Sequence, residues 1–393
     1  MKYNRIKMED ALEALIDYRG KTPAKSEKGI QTLSAKSVKN GYIDYSQCYY
    51  ISEAEYKRFM VRGFPQKGDI LLTTEAPMGM VTRLDRDDVA IAQRLLTLRG
   101  KKEVLDNDYL MYYLQSPKGQ AALKARETGT TVTGIKQAEF RKIELELPSY
   151  DYQLKVSRVI RVVDEKIQIN NKINNNLEQQ MQALYKSWFI DFEPFEGIIP
   201  NNWKKGKLKD VLKLKRQSIK VGENTELPYL PIDIIPMNTL ALTDIKPNEE
   251  AQSSLIRFDK DDIIIGAMRV YFHRVVIAPF DGITRTTCFT LSPFLPDYLC
   301  FGLLCCNQDS SIEYAQTTSK GSTMPYAVWD GGLGDMNILI PSPDIAQKFN
   351  EIVLPMVRQI QNSYFENSNM RMLRDNLLPR LMSGELDVSN IDL

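Results

Sequence analysis

One histidine, His273, and five cysteines (Cys48, Cys288, Cys300, Cys305 and Cys306) are the scarce reactive side chains of this 393-residue sequence. Nucleophilic catalysis by a Ser–His or Cys–His pair would have to use His273. It sits beside Arg274 in AMRVYFHRVVIAPF, whose alternation predicts a strand and a structural or surface histidine. Cys300, Cys305 and Cys306 lie in an apolar, helix-like run without a second ligand pair, so they read as core thiols and not as zinc ligands. WDGGLGDM, from Trp329 to Met336, has the glycines of a nucleotide loop in a reversed context. They lead straight into the strand-like NILIP, which predicts a turn. There is no GxxxxGK[ST] phosphate loop, no methyltransferase-type Asn-Pro-Pro-aromatic run and no Asp…Glu-x-Lys nuclease set. The chemistry this leaves is binding.

Nucleic acid is the partner that the remaining polar residues could serve, through local surfaces. With 51 basic and 50 acidic residues the chain is close to neutral, so net charge gives no hint of a polyanion. The strongest patch is WKKGKLKDVLKLKRQSIK, residues 203–220, with eight cations against one anion and with Lys215, Arg216 and Lys220 in its second half. A solvated charged face would look the same. In the first half of the chain Lys21, Lys25 and Lys28 flank a Gly/Ser/Thr-rich stretch. Two small-residue segments, GTTV with Thr130, Thr131 and nearby Lys136, and GSTM with Ser322, Thr323 and nearby Lys320, could approach phosphates. Base edges are read by Arg, Lys, Asn and Gln. Gln93, Arg94, Arg269, Tyr271 and Arg285 are the candidates for that role.

The elements that must position these residues come in a repeated order. Lys7-x-x-Asp10-x-Leu12 returns as Lys207-x-x-Asp210-x-Leu212, and FPQKGDILLTT from Phe64 returns as FDKDDIIIGA from Phe258. YLMYYLQS and YLCFGLLCCN, GTTV and GSTM, IELELPS and MNILIPS follow in the same sequence. One plan is run through twice, offset by roughly 190–200 residues, far beyond any solenoid period. Both apolar β-branched runs predict buried strands.

After each Leu/Ile-Pro-Ser a long helix is expected. In the first, Val156, Ile160, Val163, Ile167, Asn170, Asn174, Leu177, Met181, Leu184 and Trp188 alternate in steps of four and three, a coiled-coil seam with two asparagines in it. About 42 residues at roughly 1.5 Å each make a rod of about 63 Å. The second is less regular, with Phe349, Val353, Met356, Ile360, Met370, Leu377 and Leu381 as its seam and Pro355 expected to kink its opening turns. Neither seam can be buried by one helix. Antiparallel packing of the two rods would bury both, and the asparagines would penalise slipped registers. The fold class read from this is α+β: two similar globular domains separated by two long antiparallel helices forming an intramolecular coiled coil. The divisions fall at 1–149, 150–192, 193–343 and 344–393. An odd number of cysteines without framework spacing, and no apolar run of membrane or signal-peptide type, suggest a cytoplasmic protein.

This plan resembles the DNA-specificity (S) subunit of type I restriction-modification enzymes. The likeness covers the whole chain and is most specific in SWFIDFEPF, LLPRLMSGELD and the GSTM…IPSP run. It implies two target-recognition domains, each reading one half of a bipartite double-stranded DNA target. The helices would fix the gap and dock two methyltransferase (M) subunits. S-adenosylmethionine would be used by those subunits, and ATP and Mg²⁺ by restriction (R) subunits where they exist, with no cofactor or catalysis in this chain. A fused methyltransferase-nuclease would need a cofactor loop and catalytic residues that are missing here. A coiled-coil scaffold that assembles partner proteins without DNA binding is the alternative.

Overall fold

The structure, a computed structural model, describes residues 3–18, 20, 22–129, 133–223 and 225–388. The chain divides into two compact units, Met1–Glu165 with Arg371–Leu393 (unit 1) and Lys166–Met370 (unit 2).

In unit 1 the run Ile70–Thr73 is a strand buried on both faces. It is the third strand of a four-stranded antiparallel sheet ordered Leu12–Asp17, Leu95–Gly100, Ile70–Thr73, Val81–Arg83. Because side chains alternate across a strand, Ile70 and Leu72 enter a core shared with helix Asn107–Gln115, while Leu71 enters a second core on the opposite face. Asp106 caps that helix by accepting from the Tyr109 amide at 2.8 Å. Ser116 then caps Pro117–Lys124, with Pro117 in its first turn. A separate ribbon pairs Asn4–Lys7 with Glu144–Leu147.

Unit 2 repeats this frame strand for strand. Its sheet is ordered Leu212–Leu214, Cys288–Pro293, Ile263–Gly266, Val275–Ile277, with helices Leu299–Cys306 and Asp309–Thr317 following and a ribbon of Lys204–Lys207 with Asn337–Ile340. Ile263 and Ile265 face one core and Ile264 the other. Turn geometry repeats too: Gly68 and Asp261, at equivalent positions, have φ of +94° and +72°, and Ala76 and Arg269 have φ of +54° and +50°. His273 is not in a strand. It has φ of +49° and ends the 3-10 turn Val270–Phe272, and the strand begins at Val275. The 329–336 glycines do form a turn, closing on a 3-10 segment at Leu333–Asp335.

A buried aspartate leads into the central strand of each unit. The Asp69 carboxylate accepts from the Gln66 amide at 2.8 Å and from Arg99 at 2.7 and 2.9 Å. Its counterpart Asp262 accepts from the Asp259 amide at 2.7 Å and from Lys215 Nζ at 2.7 Å. Lys215 Nζ also reaches Asp259 at 2.7 Å. This corrects the place of Lys215 among the DNA candidates, because its ammonium is held between two carboxylates beneath the sheet's edge.

Where the frame is not repeated, the units differ. Unit 1 inserts a sub-sheet of Tyr49–Ile51, Ile30–Leu33 and Ala90–Ile91, the last pair parallel. Unit 2 has Ser218–Ile219, Leu255–Phe258 and Gly282–Arg285, antiparallel throughout.

The long helices run from Tyr150 to Phe189 and from Pro343 to Ser383. Pro355, expected to kink the second, lies inside the continuous helix. Each unit contains a piece of both helices. In unit 1 Tyr152, Val156 and Ile160 pack with Leu378, Leu381 and Val388, and the Tyr152 hydroxyl donates to the Leu386 carbonyl at 2.8 Å. In unit 2 Met181, Tyr185 and Phe189 pack with Phe349, Val353 and Val357. In each case the start of one helix meets the end of the other, which is antiparallel packing. The seam holds from Val156 through Ile167, but late in the first helix Tyr185 and Phe189 are buried while Leu184 and Trp188 are half-buried. A helix of 3.6 residues per turn drifts off a 3.5-residue seam by about 20° per heptad. The same drift buries Val357, Tyr364 and Leu378 in the second helix and leaves Met356, Met370 and Leu377 half-buried, a correction to the expected seam.

Asn170 and Asn174 are both buried in the seam. Asn170 Nδ2 donates to Asn367 Oδ1 at 2.9 Å and to Glu366 at 2.8 Å, and Lys166 pairs with Glu366 at 2.9 Å. The repeat pairs Asn170 with Ser363 and Asn174 with Asn367, so the mate of the Asn170–Asn367 bond is Ser363 facing Asn174. That mate bond is missing: Ser363 Oγ turns back to the Gln359 carbonyl at 2.9 Å, and buried Asn174 Oδ1 has no partner.

Two expectations follow. Ser363→Asn would restore the donor to Asn174, and should raise stability in chemical denaturation by about 1 kcal/mol. An unchanged or lower midpoint would refute this account of the asymmetry. Lys215→Ala leaves Asp262 buried without its cation, and should lower stability by about 2 kcal/mol, less than for a fully enclosed pair because Asp259 is half-exposed. Lys215→Arg should recover most of it. A silent Lys215→Ala would return Lys215 to the surface candidates.

Candidate nucleic-acid interface

The structure draws several scattered candidates of unit 2 onto one surface. The GSTM segment is the loop of a small hairpin in which Lys320 and Tyr326 exchange backbone hydrogen bonds at 2.9 Å. The Arg269 amide donates to the Pro325 carbonyl at 2.8 Å, docking the hairpin on the turn after the central strand. Arg269, Tyr271, Lys320, Ser322 and Thr323 are all exposed on these two neighbouring loops. With them are Phe272, Met324 and Tyr326, the last 46 % exposed, so the surface joins cations and hydroxyls to aromatic faces. Such a mixture suits a phosphate backbone flanked by bases. His273, behind this turn, contacts Asn307 Oδ1 through Nε2 at 2.9 Å and Asp309 through Nδ1 at 3.3 Å.

Unit 1 carries the same device. Thr128 and Gly134 exchange backbone hydrogen bonds at 2.8 and 3.0 Å, and the Ile135 amide donates to Thr74 in the corresponding turn. Thr130 and Thr131 lie outside the described residues, as does Lys21. Arg94, at φ of +71°, pairs with Glu75 at 2.8 Å beside that hairpin. Gln93 is half-buried next to it, and Lys136 is exposed at the start of helix Gln137–Arg141.

The 203–220 patch does not survive as one cationic surface. Lys207 and Lys209 both pair with Asp335, at 2.7 and 2.8 Å, and hold its carboxyl well below the usual range. Arg216 pairs with Asp330 at 2.7 Å, and Lys215 is committed to Asp259 and Asp262. Lys204, Lys205, Lys213 and Lys220 stay exposed. Arg285 is exposed at the end of unit 2's sub-sheet.

A third group surrounds Lys25, the one member of it that is a candidate from sequence. In unit 1's sub-sheet Lys25 Nζ lies 5.0 Å from the centre of the Tyr49 ring, and Arg86 lies 5.7 Å from that of Tyr45. Burial pushes the Tyr49 hydroxyl up to about 12, so it stays a neutral donor. The available signal was compositional: five tyrosines fall between Tyr42 and Tyr56, close to Lys25, Lys28, Lys36 and Lys39. Aromatic residues interleaved with cations are the composition of a nucleic-acid surface. Among the described residues no group of three or more His, Cys, Asp or Glu is placed to hold a metal ion. No helix among them is long and apolar enough to cross a membrane.

Comparison with known proteins adds the family. Residues 19–179 match the type I restriction modification DNA specificity domain. The chain is 29% identical over 373 residues to the type I restriction enzyme MjaIX specificity subunit of Methanocaldococcus jannaschii, spanning 87% of this chain and 82% of that one. With the HindI specificity subunit of Haemophilus influenzae it shares 21% identity over 403 residues, 82% of this chain and 87% of the other. The crystal structure of a type I restriction-modification S subunit from M. genitalium shares the fold, with a TM-score of 0.62 at 16% identity over 97% of this chain and 96% of that one. A matched specificity domain, a likeness over most of the length and a common fold agree with the duplicated frame, and together they make the chain similar throughout to the type I restriction-modification specificity subunits.

Proposed function

We propose that this chain is the DNA-reading, non-catalytic subunit of a type I restriction-modification complex, each unit reading one half of a bipartite target. The observation that carries this is the pairing of a repeated frame with unrepeated sub-sheets. Two similar scaffolds with different inserted surfaces are what two different half-sites require. The hairpins at 128–134 and 320–326 would bring each scaffold to the backbone, and the sub-sheets would distinguish sequence.

The long helices would set the gap between half-sites and dock the methyltransferase subunits. Their seams are turned inward, but Leu154, Val162, Ile169 and Ile173 on the first and Ile352, Phe365, Met372 and Leu373 on the second are exposed. Apolar residues left on solvent faces of both helices support helical partners there. S-adenosylmethionine would belong to two such M subunits, and ATP and Mg²⁺ to restriction subunits, with the assembly working in the cytoplasm. Adenines within the half-sites would be flipped and methylated by the M subunits.

The test is to co-express the chain with its methyltransferase subunit and map methylated adenines. Exchanging residues 1–149 for those of another specificity subunit should change one half-site and leave the other. A change in both halves would defeat the modular reading. Adding one heptad to each long helix, about 10 Å of rise, should lengthen the gap by about 3 base pairs with both half-sites kept. A fixed gap would remove the spacer role. A complex that binds random and bipartite duplexes alike at every salt concentration would leave a protein scaffold as the function.

A further inference from the structure

Unit 1's sub-sheet encloses a cleft of about 620 Å³ that includes Gly29, Gln31, Tyr50, Tyr56, Arg86 and Asp88. The cleft has an ordered polar constellation at one side. Arg86 grips Asp88 through two contacts, Nε to Oδ1 and Nη2 to Oδ2, and its remaining Nη1 donates to Gln31 Oε1 at 3.1 Å. The Gln31 amide is thereby oriented. Its oxygen is engaged by Arg86, and among the described residues no partner takes its Nε2 donors. Gln31 lies half-buried on the central strand of the sub-sheet, paired with Tyr50 across the ladder. Tyr50 is 38 % exposed and forms the neighbouring wall.

Gly29 keeps the cleft's edge thin. Its φ is +132°, and a Cβ there would stand 2.2 Å from the Ile51 carbonyl oxygen, so no larger residue fits the same backbone path. Exposed Lys25 and Lys28 sit on the irregular segment that leads into the strand Ile30–Leu33, with the Ser26 amide bonded to the Tyr50 carbonyl at 2.8 Å. Cations thus lie beside an amide held in one orientation, with an aromatic ring next to it. Unit 2 has an Arg–Asp–Gln group of its own, Arg358 with Asp261 and Gln361. In that group the glutamine is buried and its Nε2 is spent on Asp261 at 3.0 Å and the Ala278 carbonyl at 2.8 Å, so it has no donor to offer. There Arg257 bridges Asp259 at 3.0 Å and Asp281 at 3.2 Å and bears on no side-chain amide.

We infer that Gln31 is a specificity-determining residue of unit 1, reading a base edge in the major groove, with Arg86 and Asp88 as its positioning residues. With Arg86 holding the oxygen side of the amide and both Nε2 hydrogens unpaired among the described residues, the group turned to the DNA is the donor, so the base it selects presents acceptors: purine N7, guanine O6 or thymine O4. Tyr50 limits how that base can lie, and Lys25 and Lys28 hold the adjoining phosphates without contributing sequence information. This assignment rests on the DNA-reading function proposed above and adds which residue reads, and what kind of edge.

The experiment uses the full chain assembled with its methyltransferase subunits and selects binders from a duplex library randomised over both half-sites. Gln31→Ala should relax discrimination at one position of the first half-site by roughly tenfold or more, leave the second half-site unchanged and leave the melting curve unshifted. Asp88→Asn, which loosens the grip on Arg86, should relax the same position to a smaller extent. Lys28→Ala should weaken all sequences alike and reduce the salt slope by about 1. The inference is overturned if Gln31→Ala leaves every position as it was, weakens all sequences equally, or alters the half-site read by unit 2. A wild-type complex with no bipartite preference would overturn the DNA-reading function itself, and this assignment with it.

Discussion

A helix of about forty residues with an apolar seam cannot be stable as a lone rod in water, and that constraint organises the chain. Each unit solves it by taking in a part of both long helices and building its core around their contact. Tyr152, Val156 and Ile160 belong to the same core as the helix Asn107–Gln115, and Phe349, Val353 and Val357 to the same core as Leu299–Cys306. The helices are therefore part of the globular folds and not tethers attached to them. Gln153 makes this concrete: buried in the first helical turns, it donates to the Val104 and Pro148 carbonyls and accepts from the Asp106 amide. A change in helix register would have to break that loop as well as the seam.

The polar residues in the seam work against stability and in favour of one alignment. The same is true of the aspartates beneath the central strands. Asp69 and Asp262 occupy equivalent sites, satisfy the same turn amide and take a cation each, but the cation comes from Arg99 in one unit and Lys215 in the other. What duplication has kept is the acceptor, since it shapes the turn that starts the buried strand. The donor can come from any neighbouring strand that reaches it. A frame specified by such acceptors can carry different inserts without losing its path.

Much of this architecture was legible in the sequence because it depends on periodicity and order. The β-branched runs at Ile70 and Ile263, the Asp that precedes each, and the four-three spacing from Val156 to Asn174 are local patterns with one physical reading. What escaped depends on accumulated geometry or on distant partners. The shift of burial onto Tyr185, Phe189, Val357 and Leu378 comes from helical drift summed over several turns. Lys215 looked like part of a basic run because Asp259 and Asp262, which neutralise it, come more than forty residues later. His273 read as a strand residue from alternation alone, and the left-handed turn at Arg269 and His273 is set by the hairpin that docks on it. Gln31 carried no signal at all, since its orientation comes from Arg86, 55 residues away.

The pairing of cations reconciles a near-neutral chain with the DNA-reading role proposed above. In the 203–220 run half of the cations, Lys207, Lys209, Lys215 and Arg216, are paired with carboxylates of unit 2, so a count of lysines overstates its field. The hairpin turn in unit 2 and the sub-sheet in unit 1 have fewer cations, but theirs stand beside exposed aromatic rings and hydroxyls. Diffuse charge binds any duplex and gives a steep salt dependence, whereas a few cations flanking hydrogen-bonding groups leave more of the affinity to the bases. A chain with the proposed DNA-reading role has to reject the many wrong sites that a polyanion offers. Near-neutrality with local cationic edges favours that rejection, because the sequence-independent share of binding stays small.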